Sequence, residues 1–254
     1  MADIDRTKWQ RRHAGKAAIR AEIWTYLETS GIGIAPIRDH IPNFHGAEAA
    51  AAHLASAPFW GPARIVKCNP DPPQIPVRRR ALEDGKLLYA PIPNLSDDLP
   101  FVELDPEDLA RRNISFADAA VAEVFVEVGR RVRFQEMKPM DVLCVGCVAV
   151  TRTGGRTGKG AGFADLELGI FRALNLIATG APLVTTVHSS QVVDEAGVIM
   201  QAHDSPLHYI ATQDELIATH TAITLPAAID WDRVQPDQFE AIPFLRQLRA
   251  ELAS

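Results

Sequence analysis

Apolar residues at Ile19, Ile23 and Leu27 recur every four positions, with Trp24 beside them, and predict an amphipathic helix near the start of the chain. The segment leading into it, Arg6 to Arg20, carries Arg6, Lys8, Arg11, Arg12, Lys16 and Arg20. Lys16 and Arg20 are four apart and share one helix face. A solvated basic face is the plain reading of that pair. An alanine-rich run, 47–55, predicts a second helix. An α/β rhythm follows. Ala63 to Cys68 predicts a strand, Asn69 to Pro73 a loop, Val77 to Glu83 a short helix closed by Asp84-Gly85, and Leu87 to Ile92 a strand. A polar loop covers Asn94 to Pro100, and Pro106 to Val132 shows no single period. The longest apolar run, Val142 to Val150, predicts a buried strand, and Asp165 to Ala178 a helix. Leu183 to Val187 and Leu207 to Thr212 predict two further strands, and Asp237 to Leu252 a closing amphipathic helix.

Strands alternating with helical runs imply an α/β fold: three layers, with a mainly parallel sheet flanked by helices. Residues 1–225 read as the α/β domain and 226–254 as a C-terminal helical extension packed on it. In such a fold, ligands bind beyond the carboxyl ends of the strands.

Composition narrows the function classes. With 254 residues, 47% hydrophobic and 23% charged, the chain has the balance of a globular enzyme-sized domain. A net charge of −6 argues against wholesale nucleic-acid binding. No apolar run approaches the ~20 residues that span a bilayer, and no signal peptide is apparent, so a cytoplasmic protein is expected. Three cysteines, Cys68, Cys144 and Cys147, do not make a disulfide framework. Cys144 and Cys147 lack the second ligand pair of a zinc site, and buried strand thiols are the expected reading.

The chemistry concentrates in residues 154–167, where five glycines fall within nine positions around Arg156 and Lys159. A strand before and a helix after make this a phosphate-binding geometry. Glycines let backbone N–H groups approach an anion, and the helix N-terminus adds partial positive charge. It is not a Walker A loop, because Gly160 follows Lys159 and Thr153 stands at the first glycine position. Nor is it a dinucleotide fingerprint, because Gly158, Gly160 and Gly162 are spaced by two. A flexible hairpin-like connection is the plain alternative.

Gly155-Arg156-x-Gly158-x-Gly160-x-Gly162-Phe163-x-Asp165 resembles the signature loop of the 5-formyltetrahydrofolate cyclo-ligase (methenyltetrahydrofolate synthetase) family, Gly-x-Arg-Leu-Gly-x-Gly-x-Gly-Tyr-Tyr-Asp. Gln191-Val-Val-Asp194 resembles its Gln-x-Val-Asp, His203-Asp204 its His-Asp, and Lys16-x-x-x-Arg20 its N-terminal basic pair. The elements occur in order from about residue 16 to residue 220. The stretch 158–167, with His188 before Gln191 and with Ile41-Pro42-Asn43-Phe44, is most similar to the divergent methenyltetrahydrofolate-synthetase-domain-containing branch.

The resemblance implies a NagB-RpiA-like fold and an ATP- and Mg2+-dependent conversion of 5-formyltetrahydrofolate to 5,10-methenyltetrahydrofolate, by a monomer or weak homodimer. It implies that Lys16, Arg20, Arg156 and Lys159 grip the triphosphate, with Arg156 and Lys159 closest to the chemistry. Gly158, Gly160, Ala161 and Gly162 would cradle it, and Asp165 and Asp204 would supply oxygens to Mg2+. Phe163, Gln74, His188 and Gln191 would line the folate side. Two departures bear on the substrate. The family's Tyr-Tyr-Asp is Phe163-Ala164-Asp165, and a glutamate used toward the pterin is absent, with Gln74 the nearest candidate. A paralogue that keeps the ATP site and acts on another small substrate, or a non-catalytic binder, therefore remain as alternatives.

Overall fold

The computed structural model describes residues 13–92, 99–226 and 229–253. The basic residues Arg6, Lys8, Arg11 and Arg12, and most of the polar loop from Asn94, lie outside the described residues.

Helix α1 is Ala14–Thr29, α2 is Ala47–Ala55 and α3 is Ile75–Glu83. Short helices α4 (Pro106–Arg111), α5 (Phe116–Ala119) and α6 (Ala122–Val128) fill the stretch without a clear period. Helix α7 is Phe163–Ala173, and the chain closes with α8 (Pro236–Ala241) and α9 (Phe244–Ala253). The predicted single closing helix is thus two, because Pro243 cannot continue a helix.

Strands β1 (Gly33–Ile34) and β2 (Asn43–Phe44) form a small hairpin-like pair. The main sheet is built from β3 (Ile65–Cys68), β4 (Leu87–Pro91), β5 (Phe101–Leu104), β6 (Arg130–Val132), β7 (Val142–Cys144), β10 (Leu183–Thr186), β12 (Tyr209–Ala211) and β13 (Leu216–Ala218). A second sheet contains β8 (Ala149–Thr151), β9 (Arg156–Thr157) and β11 (Val192–Val193). Among the described residues the main sheet has eight strands, in the order β13-β12-β10-β7-β3-β4-β5-β6. The five inner strands, β12 to β4, run parallel, and the edges are antiparallel. This is the expected mainly parallel sheet between helical layers.

Two core clusters lie on the two faces of the sheet. One joins Tyr89, Phe101 and Leu143 to Phe171 on α7 and to Ile242, Leu245 and Leu248 at the C-terminus. The other joins Val66, Leu88 and Val142 to Leu54 on α2 and to Val77 and Ala81 on α3. The C-terminal helices therefore complete the central core. A third cluster seats Ile19, Ile23, Trp24 and Leu27 of α1 against Val148, Ala149 and Val198, as the four-residue spacing predicts.

The apolar run Val142 to Val150 is not one strand. It leaves the main sheet after β7 and enters the second sheet as β8, crossing at Gly146. A Cβ at Gly146 would lie 2.9 Å from Ile41 Cγ1 and 3.0 Å from Asp71 Oδ2, so a larger residue at the crossing would have to displace one of these side chains. Cys144 and Cys147 fall on either side of it, in different core clusters, both buried as free thiols. Helix α7 also begins two residues earlier and ends five residues sooner than its apolar pattern predicts.

Candidate functional site

Parallel strands set the site. Beyond β3 the chain turns through Asn69, Asp71 and Gln74; beyond β7 it crosses at Gly146; beyond β10 it reaches His188. These segments meet the glycine loop at the carboxyl ends of the strands, the expected place for a ligand. Gln74 Nε2 donates to Thr186 Oγ1 at 3.4 Å, and Lys159 Nζ lies 3.2 Å from Asp71 Oδ1.

The glycine loop has two parts. Thr151 to Gly155 turns between β8 and β9, with Gly155 N–H donating to Thr151 Oγ1 at 3.0 Å and Gly154 at φ 97°. Gly158 to Gly162 then carries the chain into α7. Gly160 (φ 110°) and Gly162 (φ 75°) both sit where only glycine is unstrained. The hairpin-like connection is thus found in the first half, between β8 and β9, and the second half is the entry to α7. Helix α7 starts on Gly162 without a side-chain cap hydrogen bond among the described residues, and its N-terminal end carries partial positive charge. A Cβ at Gly158 would find nothing nearer than Gly146 O at 4.0 Å, so that approach is open.

The predicted cations occupy very different surroundings. Arg156 is 3% exposed. Its Nε donates to Ser205 O at 2.7 Å and its Nη2 pairs with Asp165 Oδ1. The Asp165 Oδ1 also accepts from Ser205 N at 2.9 Å. Burial works against the Arg156 charge, but Asp165, Cys147 and Asp204 outweigh it and its pKa is raised. Arg20 is also buried, with Nη1 3.5 Å from Thr157 Oγ1, and desolvation lowers its pKa against the pull of Asp39. The plain reading of Lys16 and Arg20 as a solvated face is overturned by these contacts. Lys16 pairs with Asp204, whose Oδ2 also accepts from Gln201 N at 2.7 Å. Lys159, 29% exposed, is the most accessible of the four.

Sequence reasoning missed a fifth cation and its partner. Lys67, on β3, is fully buried and pairs with Glu167 on α7, with its ammonium 6.0 Å from the centre of the Phe171 ring. Burial raises the Glu167 pKa, and Lys67 draws it part of the way back. Asp71 was also read only as a loop residue. Glu167 stands within the motif stretch and Asp71 within Asn69-Pro-Asp-Pro-Pro73, but their partners are far away along the chain.

The folate-side candidates divide. Gln74 is fully buried, and its Oε1 has no hydrogen-bond partner among the described residues. An unpaired buried amide oxygen costs roughly 1–3 kcal/mol and suits a ligand that donates to it. Gln191 is instead taken up by the backbone: its Nε2 donates to Val148 O at 2.9 Å and its Oε1 accepts from His188 N at 2.8 Å. It shapes the crossing beyond Gly146. His188 Nδ1 accepts from Ser190 N at 3.1 Å, its ring meets Phe44 edge-on at 5.9 Å, and desolvation lowers its pKa against the pull of Asp214. Phe163 opens α7 and packs on the main core cluster.

Among the described residues no group of three or more His, Cys, Asp or Glu side chains is gathered as a metal site, and no helix is long and apolar enough to cross a membrane. Asp165 and Asp204 each face a cation instead.

Residues 12–213 match the 5-formyltetrahydrofolate cyclo-ligase family. The chain is 36% identical over 236 residues to a methenyltetrahydrofolate synthase domain-containing protein of Mus musculus, covering 92% of this chain and 63% of that protein. A protein of the same description from Homo sapiens is 33% identical over 240 residues, covering 92% and 61%. The chain thus spans somewhat under two thirds of these relatives. The fold is shared with the 5,10-methenyltetrahydrofolate synthetase of Aquifex aeolicus, at a TM-score of 0.51 and 17% identity over 83% of this chain and 95% of that one. On the family match and these relatives, the chain belongs to the 5-formyltetrahydrofolate cyclo-ligase family.

Proposed function

We propose that the chain converts 5-formyltetrahydrofolate to 5,10-methenyltetrahydrofolate with ATP, at the carboxyl ends of β3, β7 and β10. The observation that carries this reading is the pairing of an uncapped α7 N-terminus with Lys159 at the edge of an open glycine loop, in a chain of this family. The formyl oxygen attacks the γ-phosphorus and ADP leaves, giving an imidate phosphate. N10 then attacks the formyl carbon, closing the ring, and inorganic phosphate departs. No protein nucleophile is needed; the protein positions the partners and neutralises charge.

The residues present fit a polyphosphate. Backbone N–H groups from Gly158 to the start of α7 cradle it. Lys159 exchanges Asp71 for a phosphate oxygen, and Lys16 exchanges Asp204. Arg156 and Arg20, enclosed by protein, act from behind by fixing Asp165 and β9. Mg2+, when bound, would neutralise phosphate charge; Asp204, once Lys16 turns to the phosphates, and Asp165, still held by Arg156, are the carboxylates that would hold it. Gln74 Oε1 accepts from the heterocycle, Phe163 and His188 are the further folate-side candidates, and Gln191 holds the backbone at Val148 and His188.

A second reading, a paralogue using the same ATP site on another small substrate, is favoured by Phe163-Ala164 and by Gln74, which offers an amide rather than a carboxylate. Methenyltetrahydrofolate absorbance, with 5-formyltetrahydrofolate, Mg2+ and with or without ATP, separates the readings. ATP-dependent turnover supports the cyclo-ligase. Calorimetric ATP binding without turnover selects the second reading. Absence of both rejects the nucleotide site.

A further inference from the structure

The C-terminal segment reaches back to the glycine loop. Gln238, on α8, is 4% exposed and its carboxamide is used at both ends. Its Nε2 donates to Ala161 O at 3.0 Å, and its Oε1 accepts from Gln235 N at 2.9 Å, capping α8. Gln238 lies beyond residues 12–213, the part of the chain that matches the family. Its position is held by Ile242, Leu245 and Leu248, which are buried in the main core, and by Phe239 stacked on Trp231.

The loop residue it holds is unusual. Ala161 is buried between Gly160 and Gly162, both at positive φ. Turning over the Ala161–Gly162 peptide changes φ at Gly162, which has no Cβ to oppose it, so steric resistance to the flip is low on that side. In a planar trans peptide the C=O and N–H point in opposite directions. A carboxamide that holds Ala161 C=O toward α8 therefore turns Gly162 N–H away from the C-terminal segment. Gly162 is also the residue on which α7 begins, and its own C=O already accepts from Leu166 N at 3.2 Å. Its N–H thus belongs to the set of donors that opens the helix.

We infer that Gln238 is a positioning residue of the anion cradle: through Ala161 C=O it fixes the Ala161–Gly162 peptide in the orientation that presents Gly162 N–H to a phosphate. This rests on the nucleotide reading of the glycine loop. It couples ligand affinity to the docking of the C-terminal helices. Without the donor, the peptide samples the flipped orientation, which aims a carbonyl oxygen at the phosphate.

Gln238→Glu in the full chain separates the two uses of the side chain. A carboxylate still accepts from Gln235 N–H and suits a helix N-terminus, but has no hydrogen to give Ala161 C=O. The expected result is a lowered melting temperature, because the carboxylate is enclosed beside a carbonyl oxygen, with faster hydrogen exchange at residues 160–163 and Mg-ATP affinity about three- to tenfold weaker by calorimetry, the scale of one hydrogen bond. Gln238→Ala, which loses the cap as well, weakens Mg-ATP binding to a similar degree and also lowers the melting temperature. Equal Mg-ATP affinity in wild type and Gln238→Glu overturns the inference while leaving the nucleotide site standing. A wild-type chain that binds no Mg-ATP removes both.

Discussion

Two lysine–carboxylate pairs tie the exit of β3 to the glycine-loop helix, and they differ chiefly in exposure. Lys67–Glu167 lies beneath α7 with side chains 0% and 5% exposed, whereas Lys159–Asp71 lies at the edge with 29% and 11%. Side-chain type is nearly the same in both, so burial decides what each can do. In a buried pair each charge depends on the other to offset desolvation, and losing one partner strands the other. A part-buried pair at the edge trades its carboxylate for another anion more readily, because water reaches its lysine. The first therefore fixes α7 to the sheet, and the second is available to a phosphate.

The largest expected effect comes from breaking the buried pair. Glu167→Ala leaves Lys67 charged and enclosed, and should destabilise the fold by about 3–5 kcal/mol in denaturant unfolding. Combining Lys67→Met with Glu167→Leu removes both charges and should recover most of that loss. A single variant as stable as wild type would show that Lys67 finds water, and the contrast between the pairs would collapse.

Next in size is the edge pair. Lys159→Ala should weaken Mg-ATP binding by about tenfold to a hundredfold, the scale of one charge-assisted contact at roughly 1.5–3 kcal/mol. Its unfolding free energy should stay within ~1 kcal/mol of wild type.

The smallest effect is a pH dependence at His188. Burial lowers its pKa, so the folded state holds the neutral ring. The resulting stability is fully present above the ordinary histidine pKa of about 6.5 and is lost as pH falls from there through the lowered folded value. Melting curves between pH 7.5 and 5.5 should fall more steeply for wild type than for His188→Gln. Parallel curves would place the ring in water in the folded state.

The parallel core of the sheet was legible because its strands are short apolar runs bounded by proline, glycine or asparagine. Residues 63–68, 87–92, 183–187 and 207–212 each contain one. The antiparallel edges were not. Phe101–Leu104 and Leu216–Ala218 are brief, and Arg130–Val132 begins with two arginines, so pairing rather than pattern makes them strands. The break at Gly146 was hidden because every residue from Val142 to Val150 is buried, on whichever sheet it lies. At the site, the glycine loop and the acceptors Asp165 and Asp204 stood out in one contiguous or ordered motif. What could not be read was which cation is enclosed. Arg156 and Lys159 are three apart, yet one is locked between Asp165 and Ser205 and the other faces the opening. That distinction comes from Ser205 and Asp71, brought in by tertiary folding.

The most direct test is a Mg-ATP titration of wild type, Lys159→Ala and the Lys67→Met/Glu167→Leu double variant, read beside their unfolding curves. The account predicts that the double variant binds Mg-ATP nearly as well as wild type, while Lys159→Ala loses tenfold or more at unchanged stability. Equal affinity in wild type and Lys159→Ala would contradict it, because the accessible lysine would then have no part in holding the nucleotide.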